Sequence, residues 1–176
     1  MSTKRIVTQF PHAVTVTEHL WIPLGDGTRL AARLWLPDDA ARQPVPAILE
    51  YIPYRKRDGT RTRDEPMHGF FAGNGYAVLR VDMRGSGESD GLLADEYLLQ
   101  EQDDALEVID WITQQSWCSG NVGMMGKSWG GFNGLQVAAR RPPALKAVIT
   151  VCSTDDRYAD DIHYKGGCLL NDNLWW

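Results

Sequence analysis

Short apolar runs at Val45–Ile52, 76–83, 122–125 and Leu145–Val151 are separated by intervals too long for hairpins. Helical patterns fill those intervals. Residues 95–115 place Leu98, Ala105, Ile109 and Ile112 on one face, with Glu101, Asp103, Asp104 and Glu107 largely outside it. Residues 128–140 read as a helix stopped by Pro142-Pro143, and 67–73 as a short helix ended by Asn74-Gly75. Strands joined through crossover helices lie parallel, so the chain is expected to be α/β with a mostly parallel sheet. The run 76–83 is nearly all apolar and is expected to be buried on both faces; 145–151 is read as another buried strand. Ahead of them, residues 14–24 alternate with period two, Gly25-Asp26-Gly27 turns the chain, and 29–36 forms a second strand before Pro37. That is an N-terminal antiparallel hairpin. At 176 residues and 43% hydrophobic, one domain with a sizeable core is the expectation.

Composition excludes several classes of function. A net charge of −5 and a pI near 5.3 argue against a nucleic-acid partner, which needs a basic face. No apolar run approaches the roughly 20 residues of a membrane span. Lys4 and Arg5 have no apolar stretch after them, so residues 1–10 do not read as a secretory signal. The three cysteines, Cys118, Cys152 and Cys168, have no CxxC spacing. Reduced thiols in a cytoplasmic protein are expected. No HExxH and no Cys/His cluster at ligand spacing is present, so neither metal nor cofactor is expected.

Two stretches fit G-x-S-x-G, the pattern of a nucleophile elbow: Gly126-Lys127-Ser128-Trp129-Gly130 and Gly87-Glu88-Ser89-Asp90-Gly91. An elbow joins the end of a strand to the start of a helix, so that its serine stands at the carboxyl edge of the sheet. Ser128 has the run 122–125 before it and a helix after it, whereas Ser89 sits in a Gly/Ser/Asp loop. Ser128 is therefore the candidate nucleophile and Ser89 a turn residue. The bland alternative is a glycine-rich turn with an idle serine. A second alternative is a P-loop, whose tail Gly126-Lys127-Ser128 resembles. That pattern needs glycine at position 121, which is Asn121, and a phosphate loop where the apolar run lies.

In order along the chain stand Ile52-Pro53-Tyr54-Arg55-Lys56, the stretch from Gly75 to Ser89 containing Val81-Asp82-Met83-Arg84-Gly85-Ser86-Gly87, then Trp117-Cys118-Ser119-Gly120-Asn121-Val122-Gly123-Met124, and the Ser128 elbow. With these motifs, residues 15–176 resemble the X-Pro dipeptidyl-peptidase and cocaine-esterase-like acyl hydrolases. The resemblance implies an α/β-hydrolase fold, a small-molecule ester or X-Pro peptide substrate, and Ser128 as nucleophile. It also implies an oxyanion hole made by the Trp129 backbone N–H and the Tyr54 hydroxyl. Tyr54 lies just after the strand 45–52, where the second donor of an elbow mechanism is found. Without the resemblance, a ring packed in a Pro-led turn is the favoured reading. Asp82 and Arg84 read as structural supports of the site. The run from Arg55 to Arg63 reads as part of a solvated loop, 53–66. Trp175 and Trp176 fall where a helical cap is expected, as pocket walls or as core.

The same mechanism needs an acid and a histidine after the serine. The only later histidine is His163, about twelve residues past the strand 145–151 and in the expected cap. His12, His19 and His68 precede the serine. The chain therefore reads as the front of a larger hydrolase, incomplete at its C-terminus, lacking catalytic Asp and His and nearly inactive alone. Residues 1–154 form part of the catalytic domain in that reading and 155–176 the start of the cap. A non-catalytic interaction domain is the remaining alternative. Oligomeric state is open.

Overall fold

The structure is a computed structural model in which residues 7–175 are described. Lys4, Arg5, Trp176 and the side chain of Trp175, which entered the readings above, lie outside the described residues. The elements are β1 (Val14–Pro23), β2 (Arg29–Pro37), β3 (Val45–Ile52), α1 (Arg61–Gly73), β4 (Ala77–Asp82), α2 (Leu99–Thr113), β5 (Cys118–Lys127), α3 (Trp129–Ala139), β6 (Leu145–Val151), β7 (Tyr164–Lys165), β8 (Cys168–Leu169) and α4 (Asp172–Trp175). Six strands form one sheet in the order β1-β2-β4-β3-β5-β6, and β7 and β8 form a small ribbon. The pairs β1–β2 and β2–β4 are antiparallel; β3–β4, β3–β5 and β5–β6 are parallel. The expected hairpin and parallel sheet are both present.

The two faces of the sheet differ chemically. Residues alternate across a strand, so β4 sends Ala77, Leu79 and Val81 to one face and Val78, Arg80 and Asp82 to the other. On the first face, Leu79, Val81, Leu49, Val122 and Met124 pack with Val108, Ile109 and Ile112 of α2 and Val137 of α3 in the main core. On the second face, α1 covers β2 and β4. Its apolar cluster there is small: Trp35, Ala72 and Val78. The rest is buried charge. His68 Nε2 meets Glu50 Oε2 at 3.0 Å, Arg63 bridges Glu50 and Asp64 at 2.6 Å each, and Arg80 Nε lies 3.3 Å from Asp64.

Four expectations are corrected. First, α1 begins at Arg61, not at 67, and carries Pro66 inside it. Its buried residues include Asp64 and His68, whose partners lie on β3 and β4, so no apolar stripe advertises it. Second, the basic run is not wholly solvated: the Lys56 side chain is fully buried and pairs with Glu88. Third, Glu101 and Asp104 are buried in α2 because each has a partner, the Trp129 indole and the Arg84 guanidinium respectively. Fourth, β6 is an edge strand rather than a buried one. Ile149 and Val151 are 59% and 49% exposed, because α1 does not extend over β5 and β6. Among the described residues, no helix is long and apolar enough to cross a membrane.

Candidate active site

Parallel pairing aligns the carboxyl ends of β3, β4, β5 and β6. Ile52 pairs with Asp82, Leu49 with Met124, and Lys127 with Val151. The segments leaving these strands therefore meet at one edge of the sheet, the place where open α/β sheets bind ligands. Tyr54 follows β3, Arg84 follows β4, Ser128 follows β5 and Cys152 follows β6.

Ser128 stands between β5 and α3 with φ 58° and ψ −123°. A non-glycine residue in that region stores strain and persists only where its surroundings fix it. Here the Ser128 N–H donates to the Val151 carbonyl at 2.8 Å, and its own carbonyl accepts from Gly131 at 2.8 Å and Phe132 at 3.1 Å. The turn also needs glycine where backbone meets backbone. A Cβ on Gly126 would lie 2.2 Å from the Gly130 carbonyl carbon. Trp129 is the first residue of α3, and N–H groups of a first turn aim out of the helix N-terminus.

The Tyr54 hydroxyl donates to Ser128 Oγ at 3.2 Å across 74 residues of sequence. The two residues singled out from separate motifs thus meet in space. Behind the elbow, the Trp129 indole donates to Glu101 Oε2 at 3.0 Å, and its ring lies 5.3 Å from that of Tyr97. Burial pushes the Glu101 carboxyl up, and the Trp129 bond opposes this. Asn133, one helical turn into α3, donates to the Tyr51 carbonyl at 3.2 Å and ties the helix to β3.

A cavity of about 330 Å³ opens beside Ser128, with Phe132, Cys152, Ser153, Thr154, Asp161 and Ile162 on its walls. The segment after β6 closes over its side. Arg157 donates to Asp161 at 2.7 Å and lies 3.9 Å from the centre of the Tyr97 ring. His163 is 2% exposed, with Nε2 3.0 Å from Glu96 Oε1. It is built into this packing and does not line the Ser128 cavity. A larger groove, about 420 Å³, lies among Ile48, Phe71, Tyr76, Met125 and Ile149 on the face that α1 leaves open, away from Ser128.

Other sequence readings are settled by position. The Ser89 hydroxyl donates to the Asp82 carbonyl at 2.7 Å and accepts from Ala31 N at 2.8 Å, so Ser89 is a turn residue. Arg84 grips Asp104 through Nε and Nη2, both at 2.8 Å, a structural fork. Residues 122–127 are strand, in register with β6, where a P-loop would need a phosphate loop. Cys118, Cys152 and Cys168 are free thiols, the first buried and the others exposed. Glu50, Asp64 and His68 present ligand-type atoms within 4.8 Å of one another. Arg63 and Arg80 already neutralise that cluster, so its donor set does not suit a cation.

A six-stranded, mostly parallel sheet with a strained serine between strand and helix is the architecture of the α/β-hydrolase fold. Residues 26–176 match the family described as X-Pro dipeptidyl-peptidase (S15 family), and the chain belongs to that family. It is 35% identical over 156 residues to the cocaine esterase of Rhodococcus sp. (strain MB1 Bresler), which covers 88% of this chain and 26% of the esterase. It is 26% identical over 197 residues to a putative Xaa-Pro dipeptidyl-peptidase of Streptomyces avermitilis, covering 90% of this chain and 29% of that protein. Among solved structures, a CocE/NonD family hydrolase from Staphylococcus aureus superposes with a TM-score of 0.73 at 26% identity, over 89% of this chain and 30% of that one. The chain thus spans between a quarter and a third of the length of these relatives.

Proposed function

We propose that Ser128 is the nucleophile of a serine hydrolase that cleaves an ester or an X-Pro amide, with the Tyr54 hydroxyl and the Trp129 N–H as its oxyanion hole. The observation that carries this reading is the 3.2 Å contact of Tyr54 with Ser128 Oγ at the carboxyl edge of the sheet. Ser128 Oγ attacks the substrate carbonyl and gives its proton to a base. The carbonyl oxygen becomes an oxyanion held by the two donors. Collapse expels the alcohol or amine, which takes the proton back from the base, and leaves an acyl-enzyme. Water, deprotonated by the same base, then releases the acid and restores Ser128.

The base is proposed to come from sequence outside these 176 residues. His163 is engaged with Glu96, His12 precedes β1 and pairs with Asp39, His19 lies on β1, and His68 lies on α1. In this reading the 176-residue chain alone turns over ester poorly. Residues 155–175 are proposed to begin a cap over the site. The names of the relatives, an esterase and a putative peptidase, support the two substrate classes equally.

Tyr54→Phe tests the reading. It removes one oxyanion donor and keeps the ring, so kcat for p-nitrophenyl acetate is expected to fall about 10²–10³-fold with little change in KM. Unchanged kcat would mean that Tyr54 only packs its ring.

A further inference from the structure

We propose that Asp82 is a positioning residue for the reaction, clamping the loop that aims the Tyr54 hydroxyl at Ser128. The proposal rests on the reading of Tyr54 given above. Asp82 ends β4 and is fully buried. Its Oδ1 accepts the Lys56 N–H at 2.7 Å and its Oδ2 the Glu88 N–H at 3.1 Å. Both oxygens thus take backbone donors, from two loops that leave neighbouring strands. Gly87 makes this approach possible, since a Cβ there would lie 2.1 Å from Asp82 Oδ2.

Tyr54 is held from both sides. Before it, the Ile52 carbonyl accepts from Arg80 Nη1 at 3.1 Å. After it, Lys56 is fixed through its N–H by Asp82 and through its buried ammonium by Glu88 and the Glu18 carbonyl. Between Tyr54 and Lys56 stands Arg55, with φ 59°. A left-handed non-glycine residue is strained and relaxes unless its neighbours hold it. The Asp82 bond falls on the residue next to that strained one. Loss of the bond lets Arg55 relax and swings the Tyr54 ring. An oxyanion donor tolerates little of this, because a misplacement of about 1 Å costs up to about 10²-fold.

A merely structural Asp82 would also destabilise the protein when replaced, so the test is a double-mutant cycle on kcat in the ester-hydrolysing protein. Asp82→Asn keeps one acceptor oxygen and loses the other. It is expected to lower kcat for p-nitrophenyl acetate about tenfold or more, with KM changed less than about twofold. In the Tyr54→Phe background the same substitution is expected to change kcat less than about twofold, because the group it positions is gone. If Tyr54→Phe is costly but Asp82→Asn costs as much in its presence as in its absence, the inference is wrong and the Tyr54 reading stands. If Tyr54→Phe itself costs nothing, both fall. Should Asp82→Asn fail to fold, Glu88→Gln loosens the same loop from a half-exposed side chain, and the same two outcomes decide.

Discussion

Ser128→Ala, in the protein joined to the sequence proposed to supply its base, is expected to lower kcat for p-nitrophenyl acetate by about 10⁶-fold. The magnitude follows from the proposed mechanism: without Oγ there is no acyl-enzyme, and the proposed oxyanion hole then acts only on direct attack by water, retaining about 10³–10⁴ over the uncatalysed reaction. The fold is expected to tolerate the change. Ser128 is held through its N–H and C=O, which alanine keeps, and its hydroxyl contacts Tyr54 alone among the described hydrogen bonds. Far-UV circular dichroism and the urea midpoint should therefore match the parent while turnover disappears. Ser89→Ala is the control. It removes a hydroxyl that bonds to Asp82 O and Ala31 N, so it should cost stability and leave most of the activity.

Arg80→Met is expected to cost about 3–5 kcal/mol of stability, the size found when one partner of a buried ion pair is removed. Arg80 is fully buried on β4. Its guanidinium lies 3.3 Å from Asp64, 3.6 Å from Glu50 and 3.8 Å from Asp82, and it donates to the Ile52 and Val81 carbonyls at 3.1 Å each. Burial pulls its pKa down, and those carboxylates oppose the pull. Burial likewise pushes Glu50 up, but His68, Arg80 and Arg63 outweigh it and hold the carboxyl below its ordinary value. Replacing Arg80 by an apolar chain leaves three carboxylates under α1 with Arg63 as the remaining close guanidinium. Urea titration of the variant should show a lower midpoint at unchanged slope. A loss below about 1 kcal/mol would mean that α1 is held by its small apolar cluster, against the general cost of stranding buried charge.

The strand and helix order was legible in the sequence because the main core is hydrocarbon. The apolar runs of β3 and β4 and the 3.6-residue face of α2 report burial in that core. The elbow was legible because its glycines, its serine and its strand-to-helix context lie within a few consecutive residues. What stayed hidden depends on partners distant in the chain. The burial of Asp64 and His68 makes sense only with Glu50 and Arg80 opposite, and that of Glu101 only with Trp129, 28 residues away. The edge position of β6 was hidden for the converse reason. Ile149 and Val151 are apolar in sequence, and only the limited reach of α1 leaves them exposed. The meeting of Tyr54 and Ser128 follows from the register of β3 on β5, which no local pattern encodes.

The role of Ser128 is tested most directly by covalent labelling with a fluorophosphonate, followed by peptide mapping of the adduct. In the ester-hydrolysing protein, one equivalent is expected to attach at Ser128 as hydrolysis of p-nitrophenyl acetate is lost, while the 176-residue chain alone labels slowly. An adduct at Ser89, or full activity with Ser128 unlabelled, would contradict the assignment of the nucleophile. Fast stoichiometric labelling of the 176-residue chain would contradict a base supplied from outside it and turn attention to His163.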